Sequence, residues 1–269
     1  SNGTYCISGK FNNLGELTTD KIKEGECKVI NPKSFSTDSW ETIVEAVKEG
    51  ITSKYKVGDT KTIDLGSYGT HTVRISNTST PSECSTEGFS QTACGFVLEF
   101  EDIIIKHNMN PKGTYKDKQY NNGWNKDGWP ASSMYTFLNN DIYNLLPTAL
   151  KDGIIDTKTV SGHGGADADN IISTNKIYLL STAEIWESGV NYDTARTLTK
   201  QLDYYKKLGV TTSKHDDAAK KYGARNIIWW LRTANKSNTS AFLYVTSSGD
   251  WGANTAITTY GVSPAFRIG

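Results

Sequence analysis

The apolar positions of this chain change period along its length, and the changes predict its elements. Trp40, Ile43, Val44 and Val47 recur at i, i+3, i+4 and i+7, the spacing of one apolar helix face. Asp38, with Glu41 three residues on, has the spacing of a capping box, and Gly50 is placed to end the helix. The period then drops to two: Ile63 and Leu65 pair with Val73 and Ile75 across a Gly66–Gly69 turn, which predicts a hairpin. A long strand is expected over 95–106, with Phe96, Leu98 and Phe100 on one face and Glu99 and Glu101 on the other. A long polar loop over 107–130 follows, and then a helix over 132–146, where Pro147 stops it. Residues 161–170 read as a second polar loop, and 177–180 as a short strand. Ser181 and Glu184 have capping-box spacing for a helix through Trp186, and a further helix is expected over 194–208. The last 45 or so residues are strand-like at 227–232, 241–246, 253–259 and 265–268, with a turn at Ser247–Asp250. Helices fall mostly in the first and middle parts and strands at both ends, which is α+β rather than an alternating βαβ order.

Residues 1–34 differ from the rest: they are rich in Gly, Asn and Lys and end at a proline that keeps Asn31 extended. They are expected to form an appendage to a main domain over 35–269. The four cysteines, Cys6, Cys27, Cys84 and Cys94, allow three connectivities. Pairs Cys6–Cys27 and Cys84–Cys94 are favoured because each flanks a local loop. Disulfides outweigh free thiols because no CxxC pair or Cys/His cluster offers a metal instead.

Charge removes function classes. Lys and Arg number 29, and so do Asp and Glu, so no chain-wide field invites nucleic acid. No run of about 18 apolar residues predicts a membrane span. The HExxH, G-x-S-x-G, Walker A and Rossmann patterns are missing, and the expectation is a protein that is not an enzyme. His71, His107, His163 and His215 are scattered, and the glycines around His163 read as a surface loop.

Several segments together resemble a known family. They are Ser39-Trp40 through Ile43 followed by Tyr55–Thr60; Gly123-Trp124 with Ser133-Met134 and Leu138-Asn139; Ile177–Ser181 with Glu184; Trp229–Arg232; and the closing Gly261–Ile268. The family is an uncharacterised bacterial domain, common in secreted and surface proteins of Firmicutes. Its closing pattern is similar to formylglycine-generating-enzyme and C-type-lectin-like domains. The resemblance implies a C-type-lectin-like fold, a mixed or antiparallel sheet with flanking helices and long loops, at the bacterial cell surface. The oxidase chemistry of the former group does not carry over, because no cysteine follows Cys94.

Candidate binding residues come from aromatics set among Gly, Asn and Asp. Trp124, Asn125 and Trp129 stand in one such loop, and Asn235, Asn238, Asp250, Trp251, Asn254 and Tyr260 in another region. Rings flanked by amides suit stacking on a sugar or anchoring a protein partner. The bland reading, that the rings lid the core, runs ahead for Trp124 and Trp129 and is even for Trp251. Asp167, Asp169 and Asn170 put several oxygens on a short stretch that suits calcium, without EF-hand spacing; no other cofactor is expected. Trp229 and Trp230 are read as structural, and Arg232 and Arg267 as pairing with carboxylates inside the fold. The sequence thus points to an extracellular module, an adhesin for carbohydrate or a host or cell-surface protein. The alternative is a structural subunit of a pilus-like appendage.

Overall fold

The computed structural model describes residues 5–11, 17–24 and 30–269. The chain divides into two compact units, Ser1–Asn31 and Pro32–Gly269. In the first, strands Tyr5–Phe11 and Leu17–Glu24 form an antiparallel hairpin whose register shifts between Ser8 and Gly9. A Cys6–Cys27 pairing lies outside the described residues.

The second unit is α+β, mostly open sheet with a few short helices. One five-stranded antiparallel sheet runs in the order Tyr178–Leu179, Pro264–Ile268, Phe96–Phe100, Thr70–Asn77, Thr60–Asp64. The other runs Trp251–Thr255, Ala241–Val245, Trp229–Ala234, Tyr260–Val262, Ile105–His107, with its one parallel pair between Trp229–Ala234 and Tyr260–Val262. Both Phe96–Phe100 and Trp229–Ala234 are buried along their whole length, as strands covered on both faces must be. Cys84 and Cys94 are joined with Cα atoms 6.0 Å apart.

Burial of a whole strand forces its polar residues into pairs. Glu99, expected on a polar face, is fully buried. It accepts from Arg74 Nε at 2.9 Å, Lys220 Nζ at 2.7 Å and Tyr205 Oη at 3.0 Å. Burial opposes its charge, but the two cations outweigh burial and hold the carboxyl below its ordinary range. In the other covered strand, Arg232 donates to both oxygens of Glu184, at 2.6 and 2.5 Å. Thr92 and Thr199 hydroxyls also donate to Glu184 Oε1, and Glu184 Oε2 accepts the backbone N–H of Ser181. Arg267 has no such carboxylate; its Nε donates to the Cys94 carbonyl at 2.6 Å.

Several elements depart from their expected bounds. Helix Trp40–Lys48 is capped by Ser39, whose hydroxyl accepts from Thr42 N at 3.2 Å. Asp38 faces inward to accept from the Tyr55 hydroxyl at 2.7 Å. The run 95–106 bends after Phe100 and re-enters as Ile105–His107 in the other sheet. The run 133–145 is helical with a wider π turn over Leu138–Ile142. The long loop 107–130 contains a hairpin, Gly113–Tyr115 with Lys118–Tyr120. Thr157–Gly162 pairs with Asn170–Asn175, so the polar loop there narrows to 163–169. The last helix is only Asp203–Leu208. The chain before it is held by tertiary bonds instead, Ser90 N to Leu198 O at 2.7 Å and Leu202 N to Glu184 O at 3.0 Å, and these override local periodicity.

Candidate functional site

The expected site residues separate into three groups. The first is a stitched interior. Trp129 is fully buried and its indole N–H donates to Asn175 Oδ1 at 2.8 Å. Trp124 is buried, lies flat against Tyr115 with ring centres 5.1 Å apart, and donates to the Ala131 carbonyl. Asn125 is fully buried and ties three loops together. Its amide donates to the carbonyls of Asn235, Asn238 and Ala241, and its oxygen accepts from Gly165 N at 2.9 Å. The loops touch backbone to backbone: a Cβ on Gly164 would fall 2.0 Å from the Asn125 carbonyl oxygen, a contact only glycine permits. Asn235 Oδ1 accepts from Ser237 N, and Asn238 Oδ1 from Ser240 N and Ala241 N. The oxygens of these amides shape turns.

The second group is the proposed calcium loop. Asp167 Oδ1 accepts from Asp169 N at 2.6 Å and Oδ2 lies 3.1 Å from His163 Nδ1. Asn170 Oδ1 accepts from the Thr194 hydroxyl at 2.6 Å. Asp167 and Asn170 are thus already engaged by protein groups, and among the described residues no group of three or more His, Cys, Asp or Glu is placed to hold a metal ion. His163 Nε2 meets Asp127 Oδ1 at 2.8 Å, and Asp127 also meets Lys116 Nζ and the Tyr115 hydroxyl, each at 2.6 Å.

The third group lies on strand Trp251–Thr255 and its neighbours, and the pleat divides it. Successive side chains on a strand point to opposite faces. Trp251 pairs with Val245, whereas Asn254 pairs with Phe242 and Gly252 with Tyr244. Asn254 donates to the Tyr260 hydroxyl at 2.6 Å, and Tyr260 packs on Trp230 and Tyr244 at 4.8 and 5.2 Å. Tyr260 and Asn254 therefore sit on the face opposite Trp251, Asn235 is buried, and the half-buried Asn238 shapes the 238–241 turn. The single surface expected of these residues does not form.

On its own face Trp251 lines an open cleft of about 210 Å³ with Gly189, Val190, Asn191, Tyr192 and Thr212. The rings of Tyr192 and Trp251 are 5.6 Å apart and inclined by 43°. Both walls are anchored from behind. Asp193, fully buried, accepts from the hydroxyls of Thr182 at 2.6 Å and Thr233 at 3.2 Å and from Ala195 N at 3.0 Å. Desolvation raises the Asp193 carboxyl above its ordinary range. Val190 N donates to Thr182 Oγ1, and Lys236 N to the Tyr192 carbonyl. With its neighbours pinned, Tyr192 projects outward, 39% exposed. On the other wall, Asp250 Oδ1 accepts Trp251 N at 2.7 Å. The preceding turn rests on the 215–219 segment so closely that a Cβ on Gly249, at φ +91°, would fall 2.0 Å from the His215 carbonyl oxygen. His215 Nδ1 donates to the Ser248 carbonyl at 3.0 Å.

Three polar side chains around the cleft have no hydrogen-bond partner among the described residues. Trp124, Trp129, Trp229 and Trp230 each donate their indole N–H to an internal acceptor. The indole N–H of Trp251, the Asn191 amide and the Thr212 hydroxyl make no such bond, and Asn191 and Thr212 are exposed. Sequence reasoning found Trp251 and Asp250 but missed Tyr192, Asn191 and Thr212. Gly189-Val-Asn-Tyr192 carries the same signal, an aromatic among Gly and Asn, that singled out Trp251.

Residues 97–269, well over half of the chain, match the family described as a domain of unknown function, DUF6273. No curated protein and no solved structure matches the chain.

Proposed function

The chain belongs to the DUF6273 family, and on that premise we propose that it is an extracellular ligand-binding module without catalytic activity, whose ligand sits at the Tyr192–Trp251 cleft. The observation that carries this reading is an aromatic pair beside polar groups that have no internal partner, on walls fixed from behind. Such preorganisation lowers the entropic cost of binding. Most of the ionisable side chains buried inside the fold serve one another, Glu99 with Arg74 and Lys220 and Glu184 with Arg232, and Asp193 is held by Thr182, Thr233 and Ala195 N. None of them lines the cleft. An oxidising compartment is supported by the Cys84–Cys94 bridge; among the described residues no helix is long and apolar enough to cross a membrane. A C-type-lectin-like fold belongs to the same proposal. It is supported by the closing strand Pro264–Ile268, which runs antiparallel to Phe96–Phe100 inside a sheet, and by the shared hydrogen bonds that gather loops 125–128, 163–169 and 235–241.

The test is binding of the protein to an array of glycans and extracellular-matrix proteins, once with calcium and once with EDTA. A ligand that is retained by the protein and lost in Trp251→Ala supports the reading. A blank array in both conditions overturns it and favours a structural subunit of a surface appendage.

A further inference from the structure

We infer that the Tyr192–Trp251 cleft takes the terminal, uncharged ring of a saccharide, and takes it without a metal ion. The inference rests on the reading of this cleft as the ligand site and names what fills it.

Size comes first. Sites that enclose a drug-sized ligand measure roughly 300–1,000 Å³, and this one is about 210 Å³. It has room for one ring rather than for a length of chain. Its six lining residues are also few against the roughly 20–30 residues that each partner contributes to a stable protein interface, which favours a sugar over a folded partner. Shape comes second. The two aromatic rings are inclined by 43° with centres 5.6 Å apart, so they make a corner and not a flat strip. A flat strip suits the side of an extended polysaccharide. A corner grips the end: one ring lies under the apolar C–H face of a pyranose and the other closes against its edge.

Polarity comes third. A terminal sugar presents hydroxyls around an apolar face, and those hydroxyls need donors and acceptors. The Asn191 amide supplies both, the Thr212 hydroxyl supplies both, and the Trp251 indole supplies a donor. Charge comes last. No Lys, Arg, Asp or Glu lines the cleft. A carboxylate or sulfate on the ligand would leave water and meet no cation. The nearest carboxylate along the chain, Asp250, already holds the backbone N–H of Trp251. With no carboxylate in the described lining, a bridging calcium would find only neutral oxygens there and no protein charge to balance its own.

The experiment titrates the whole chain with neutral probes and with anionic ones. The neutral probes are methyl glycosides and tetrasaccharides of glucose, galactose, mannose and N-acetylglucosamine; the anionic ones are tetragalacturonate and sialyllactose. Binding is read from tryptophan fluorescence and from the indole N–H resonance of Trp251, with calcium and with EDTA. The expected result is that at least one neutral sugar moves the Trp251 resonance and that its glycoside and tetrasaccharide bind within about threefold of each other. EDTA changes nothing, and both Trp251→Ala and Tyr192→Ala weaken binding at least tenfold. Three outcomes overturn the inference: binding by anionic probes alone, affinity that climbs more than tenfold from glycoside to tetrasaccharide, or loss of binding in EDTA. If no sugar moves the Trp251 resonance, the inference also fails. In that case a matrix protein that the native chain retains and Trp251→Ala loses would leave the cleft standing as the ligand site. A ligand bound equally by native protein and both variants would remove the site itself.

Discussion

Trp129 and Trp251 occupy nearly the same sequence setting and opposite physical ones. Both follow Asp and Gly closely, Trp129 at the start of a short helical turn and Trp251 at the start of a strand. Trp129 is fully buried, and its N–H is committed to Asn175. Trp251 is half-buried beside an exposed tyrosine, and its indole N–H has no partner among the described residues. The difference teaches where to look for binding in this molecule. Aromatic content does not distinguish the two loops, but the bookkeeping of donors and acceptors does. Where a side chain's polar atoms are all answered inside, as those of Asn125 are, the loop is a wall. Where the backbone is answered and the side chains are not, as at 189–192 and 251, the loop is a site.

The contrast can be broken by substitution. Trp129→Ala should cost about 3–5 kcal/mol of stability, the range for truncating a buried large aromatic, measured by urea unfolding. A cost under about 1 kcal/mol would show that the ring is not part of the core. Asn125→Ala should cost about 2–3 kcal/mol, because it leaves Gly165 N without its acceptor and the Asn235 carbonyl without its donor, while the Asn238 and Ala241 carbonyls keep only the backbone N–H of Ala166 and of Asn235. Hydrogen exchange should rise together in 163–167 and 235–241, and a rise confined to one of these loops would contradict the shared staple.

A pH scan sharpens the interior half of the comparison. His71 Nδ1 meets Asp102 Oδ2 at 2.7 Å and Nε2 meets the Tyr68 carbonyl at 2.9 Å. Both neighbours only accept, so the doubly protonated ring satisfies them, and the bond to Asp102 raises the His71 pKa. A proton bound more tightly in the folded state stabilises it most below the ordinary histidine value, near 6.5. That contribution is lost as pH rises through the higher folded value. Stability measured at pH 5.5 and at pH 8.5 should therefore differ by about 1 kcal/mol more in the native protein than in His71→Gln. An equal difference in the two proteins would remove His71 from the account. The smallest stability effect belongs to the cleft. Trp251→Ala and Tyr192→Ala should each change unfolding free energy by less than about 1 kcal/mol while removing the ligand. A large loss of stability in either would mean that these rings belong to the core.

Much of this was legible in the residues alone. Helix Trp40–Lys48, the hairpin of Thr60–Asp64 and Thr70–Asn77, and the closing strands follow from period and turn chemistry. So did the Cys84–Cys94 bridge, because a polar loop between the two cysteines brings them together. The candidate site was half legible: Trp251 and Asp250 announced themselves, and Tyr192 carried the same local signal. What stayed hidden depends on partners distant in the chain. Glu99 looks like the polar side of an alternating strand, and only the approach of Arg74 and Lys220 makes its burial tolerable. Residues 194–202 have helical spacing, yet their backbone bonds go to Ser90 and Glu184.

By itself, then, the sequence determined the helix Trp40–Lys48, the hairpin that follows it and the closing strands, because period and capping are local. It also determined that the fold has no large net field, because charge is a sum over residues. Only the tertiary structure decided which tryptophan faces solvent. The pleat sends Trp251 and Asn254 to opposite sides of one strand, and the segment that completes the cleft lies some 60 residues earlier in the chain. A side chain becomes a binding group only when nothing inside the fold reaches it, and that is a property of all its neighbours at once.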